Sequence, residues 1–74
     1  MPLRVLTTTI HCDAPGGTRM LPVKTAKPVP LHQISTIVRK IKALRFSGIP
    51  AIGTTISLEF SGQPIVLLVT GELD

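Results

Sequence analysis

An α+β domain of ββαββ order, with about four short, mostly antiparallel strands packed on one amphipathic helix, follows from three features of the sequence. A Thr-rich, β-branched segment runs into a Pro-Gly-Gly turn cluster. A central segment repeats apolar residues at helical spacing. The C-terminal third alternates apolar with polar residues and then becomes wholly apolar. At 74 residues, 43% of them hydrophobic and 16% charged, residues 1–74 fit one small domain and lack the polar, charge-rich profile of a disordered segment.

The N-terminal hairpin is expected over residues 3–24. Residues 3–12 read as its first strand, because Val5, Thr7, Thr8, Thr9 and Ile10 suit a pleated, half-buried surface. Asp13-Ala14-Pro15-Gly16-Gly17 makes the turn, and residues 19–24 read as the second strand. Pro22 cannot donate to a ladder, which predicts an edge strand or a bulge there. Residues 25–30 form a Pro-rich linker, since Pro28 and Pro30 disfavour helix before them.

The helix is predicted over residues 31–46. At about 100° per residue, Leu31, Ile34, Ile37, Val38, Ile41 and Leu44 fall on one continuous arc, with Arg45 the one charge inside it. His32, Ser35, Thr36, Arg39, Lys40 and Lys42 cover the other side, and Gly48 and Pro50 end the element. A C-terminal hairpin is predicted over residues 54–70. Ile56, Leu58 and Phe60 alternate with Thr55, Ser57 and Glu59, and Ser61-Gly62-Gln63 turns into a last strand.

That last strand carries the main functional expectation. Ile65, Val66, Leu67, Leu68 and Val69 do not alternate, whereas a sheet covered by one helix should read apolar inward and polar outward. One short helix cannot cover both faces. The outer one needs the N-terminal hairpin folded over it, a second copy of the chain, or another protein. Covering three Val- or Leu-sized side chains is worth on the order of 5–8 kcal/mol, comparable with the whole stability of so small a core. These five residues are therefore the expected protein interface.

Charge suggests the alternative. All eight bases lie within residues 1–45 and face only Asp13, giving +7, while residues 46–74 hold three acids and no base, giving −3. Such asymmetry points to an acidic partner or to a solvated surface. Arg39, Lys40, Lys42 and His32 on the helix, with Arg19, Lys24 and Lys27, form the candidate nucleic-acid-binding set. The sequence lacks Tyr and Trp, which argues against recognition of single strands by base stacking.

Little in the sequence points to catalysis. His11 and Cys12 are adjacent in a strand and point to opposite faces, so they cannot easily share a ligand or a proton. One cysteine permits no internal disulfide, and two His, one Cys and scattered acids do not suggest a metal set. Gly16-Gly17 lies between two strands and lacks the Lys-Ser/Thr of a phosphate loop. The expectation is no enzyme, no cofactor, no metal and no small-molecule substrate. The longest apolar runs fall far short of the roughly 20 residues that span a bilayer, and no signal peptide is visible, so a cytoplasmic, reducing location is expected.

Residues 47–67, from Ser47-Gly48-Ile49-Pro50 through the alternating strand and Ser61-Gly62 to Leu67, resemble the C-terminal half of AbrB/MazE-type swapped-hairpin DNA-binding domains. The resemblance implies an intertwined dimer that binds DNA. The basic loop preceding this segment in that family is unmatched, because residues 31–45 read as a longer helix, and no Arg or Lys is transferred on its strength. The sequence as a whole predicts a small binding protein acting as a homo-oligomer or accessory subunit through an apolar sheet surface, with DNA binding as the alternative. The absence of Asn, Tyr and Trp suits a compact viral or phage accessory protein.

Overall fold

The structure is a computed structural model and describes residues 2–71; the predicted acidic residues Glu72 and Asp74 lie outside them. Its strands are β1 (Leu3–Arg4), β2 (Thr7–Ala14), β3 (Gly17–Thr25), β4 (Val29–Pro30), β5 (Arg45–Ser47), β6 (Thr55–Phe60) and β7 (Gln63–Val69). A 3-10 turn at Leu31–Gln33 leads into the helix α1, Ile34–Ala43. One α+β domain results. Its main sheet has five strands in the order β5-β2-β3-β7-β6, and β1 pairs separately with β4.

Two hairpins form as the turn chemistry predicts. In the first, Ala14 opposes Gly17 across Pro15-Gly16, where Pro15 supplies the fixed φ and Gly16 takes φ 93°. In the second, Phe60 opposes Gln63 across Ser61-Gly62, both at positive φ (51° and 79°), as a type I′ turn requires. The hairpins join through β3 and β7, which pair only at Val23–Val69, Lys24–Leu68 and Thr25–Leu67. They therefore overlap briefly and extend in opposite directions, and the molecule measures 43 × 20 × 17 Å.

Four sequence expectations are corrected. The sheet is mixed and five-stranded, because Arg45–Ser47 runs parallel to β2, with Cys12 beside Phe46. The helix ends at Ala43, since Leu44 is already extended (φ −84°, ψ 146°) and feeds β5. Arg45 thereby leaves the apolar arc where it had been out of place. The first strand is interrupted around Val5 and Leu6, and its start instead pairs with Val29–Pro30, so the Pro-rich stretch is bonded to the N-terminus. Lastly, β3 lies inside the sheet although it contains Pro22.

Proline tolerance has a geometric cause. Thr70 N–H donates to the Pro22 carbonyl (3.1 Å), so the Pro22 nitrogen faces the same side, just past the end of β7. Ala26 N–H donates to the Val66 carbonyl (2.8 Å), which places the Pro64 nitrogen, two residues away, toward the gap beyond the other end of the ladder. The two prolines bracket the short β3–β7 pairing, and neither interrupts it.

The core lies between α1 and the inner sheet face. Ile10 and Cys12 of β2, Leu21 and Val23 of β3, Leu67 and Val69 of β7, and Ile37 and Ile41 of α1 are buried, closed at one end by Leu6 and Val29. Thr25 is the one buried polar residue among the described residues. Its hydroxyl accepts the Leu6 N–H (3.0 Å), and its own N–H donates to the Leu6 carbonyl (2.9 Å). Thr25→Val keeps the shape but orphans a buried donor, so a loss of about 1–3 kcal/mol is expected. Urea unfolding measures it, with Thr25→Ser retaining more of the stability; equal midpoints for wild type and Thr25→Val would refute the role.

Candidate protein interface

Strand alternation divides the apolar run of β7 between two environments. Leu67 (0% exposed) and Val69 (1%) are in the core, and Ile65 packs against it. Val66 and Leu68 lie on the opposite, outer face and are half-buried. Leu68 sits between Lys24 and Thr55, and Val66 opposite Ser57, so short or charged neighbours give them only partial shelter. The N-terminal hairpin lies beside β7 in the sheet and does not fold over it.

The rest of this face comes from β2 and β3. Pairing of Thr9 with Pro22 and of His11 with Met20 brings those residues onto the outer surface of β2 and β3, and Met20 is 53% exposed. An alternation count along β3 would have found Met20 and Pro22, because Leu21, Val23 and Thr25 all face inward. Ile49 and Ile52, on the segment between β5 and β6, are also exposed.

The predicted basic residues are not gathered on one surface. Arg39, Lys40 and Lys42 are exposed on α1, and His32 is exposed on the turn before it. The Lys40 ammonium lies 5.6 Å from the Phe60 ring centroid, within cation–π range. Lys24 belongs to the outer sheet face, remote from the helix layer, while Arg19 stands opposite Cys12 near the first turn. Lys27 lines a groove of about 300 Å³ formed with Pro28, Pro30, Gln33, Pro64 and Ile65.

Asp13 and Arg45 make the one ion pair among the described residues. The guanidinium donates to the Asp13 carboxylate (2.8 Å) and to the Thr18 hydroxyl (2.7 Å), joining the ends of β2, β3 and β5. The hydrogen bond from Arg45 holds the Asp13 carboxyl below its ordinary range. A lowered acid pKa means the clamp is present at neutral pH and weakens as pH falls through that pKa. Both side chains are about half exposed, so solvent screens the pair.

Cys12 has no exposed surface, and burial, reinforced by the Asp13 charge, pushes its thiol pKa up. His11 lies on the other sheet face, as adjacent strand residues must. Among the described residues no three His, Cys, Asp or Glu side chains come together as a metal set. No helix of the described residues is long and apolar enough to cross a membrane.

Fold and surface together define a small mixed α+β domain with one helix-covered sheet face and one open face. The chain belongs to the family described as "Protein of unknown function (DUF1667)", whose model matches residues 1–70. No curated protein and no solved structure matches it.

The buried, raised-pKa thiol generates a direct test. Native protein at neutral pH is expected to react with an aromatic disulfide reagent far more slowly than urea-unfolded protein. A native rate matching the unfolded one would show that Cys12 is accessible.

Proposed function

We propose that this chain is a non-enzymatic binding domain that works as a homo-oligomer or as an accessory subunit of a larger assembly, through the outer face of its sheet. One observation carries the reading: Val66 and Leu68 face away from α1, with Met20 and Pro22 on the same surface. Completing the burial of Val66 and Leu68 is worth about 1.5–3 kcal/mol per chain, enough for these two residues to anchor a contact. The inward members of the predicted set, Leu67 and Val69 with Ile65 beside them, support that surface from within.

Leu68→Lys is expected to remove the outer-face contact, seen as a smaller or weaker assembly than that of wild type, while leaving the circular dichroism spectrum and the urea midpoint nearly unchanged. Leu67→Lys is expected to unfold the chain, because it places an unpaired charge in the core. Sedimentation of both variants at micromolar concentration, with pull-down from the native source if wild type is monomeric, decides the matter. A folded Leu68→Lys variant that assembles to the same size and as tightly as wild type would remove the outer face from the proposal.

A second reading rests on α1. Arg39, Lys40 and Lys42 are exposed and pair with no described acid. If these three cations contact duplex phosphates, binding should weaken about 40-fold between about 50 and 200 mM salt, and an Arg39→Ala/Lys40→Ala/Lys42→Ala variant should lose it. Fluorescence anisotropy on a duplex probe checks this. Absence of binding at low salt ends the DNA reading and leaves the protein interface untouched.

A further inference from the structure

We infer that β6 is a self-pairing edge, through which two copies join their sheets about a two-fold axis at Ser57. This goes beyond the outer-face reading and does not rest on it. The Val69 N–H donates to the Thr54 carbonyl, and the Val66 carbonyl accepts from Ala26 on the far side of β7. With the register Ile56–Leu67, Ser57–Val66 and Leu58–Ile65, the backbone groups of Ile56, Leu58 and Phe60 face β7. Those of Thr55, Ser57 and Glu59 face outward, away from β7.

The two sheet edges are not alike. β5 is three residues long and begins at the clamped Arg45. β6 is six residues long, with neither Pro nor Lys and no bulge in its pairing with β7. Natural edges usually carry such guards against pairing, and on β6 the one charge is Glu59. Along β6, Ile56, Leu58 and Phe60 remain half-buried at the rim of the core.

A second copy fits this edge in one register better than in any other. An antiparallel two-fold at Ser57 is the only arrangement in which all three outward residues of both strands bond, Ser57 to its own copy and Thr55 to Glu59 of the other. It keeps the two Glu59 carboxylates apart, and it sets Ile56 of one copy beside Leu58 of the other on the inner face. Edge pairing thus closes the rim that the single chain leaves half open.

Sedimentation equilibrium and concentration-dependent amide exchange test the proposal on the full chain. Wild type should dimerise, with amides of Thr55, Ser57 and Glu59 gaining protection as concentration rises. Ser57→Pro, which removes an outward donor, should be a folded monomer. Thr55→Glu, opposite Glu59 of the other copy, should weaken the dimer about 2- to 30-fold over its two symmetric pairs; Thr55→Lys should tighten it by a similar factor. The opposite signs decide the question if Ser57→Pro fails to fold. A monomeric wild type, an unchanged dimer in folded Ser57→Pro, or Thr55 variants shifting in the same direction would each overturn the edge. Loss of association in Leu68→Lys with the Thr55 variants unaffected would overturn it while sustaining the outer-face reading.

Discussion

Three residue pairs between β3 and β7 hold this protein together as one domain. A lone two-stranded hairpin is marginal in water, whereas three or more strands with a covered apolar face are stable. The ladder turns two such hairpins into a single sheet, and it places Val23, Thr25, Leu67 and Val69 side by side at the centre of the core. Its shortness follows from the prolines. Pro22 and Pro64 lack the donors that would extend it, so the hairpins diverge past either end and the molecule is elongated.

The helix has a narrower role than its amphipathicity suggests. Ile37 and Ile41 are buried, Ile34 and Val38 pack beside them, and together they cover the inner face. After Ala43 the chain returns as β5 beside β2, clipped by Arg45 to Asp13 and Thr18. The helix is thus used on one side. The outer face keeps Val66, Leu68 and Met20, and β6 keeps an unpaired edge whose one charge is Glu59. Both surfaces are consequences of a two-layer architecture with one helix, and they differ in the force that would act on them: apolar contact on the face, backbone hydrogen bonds on the edge.

The residues capable of chemistry are dispersed by the same architecture. Cys12 faces inward and His11 outward because they are neighbours in a strand, and Asp13 is engaged with Arg45. The cations on α1 and Lys24 on β3 point from opposite layers.

Sequence alone determined the class, both hairpin turns, the presence of the helix and the inward set of β6, because those depend on residues two to four apart. It also marked the last strand as over-apolar. Only the tertiary structure decided which of its residues face out, since a continuous apolar run contains no alternation to read. It likewise decided where the helix stops: Leu44 fits the helical arc, but Phe46 packs better beside Cys12, more than thirty residues earlier. Pro22 reads locally as an edge residue and is tolerated inside the sheet because the donor it lacks would point past the end of β7. Pairing partners and ladder ends are set by contacts far apart in the chain, and no local pattern encodes them.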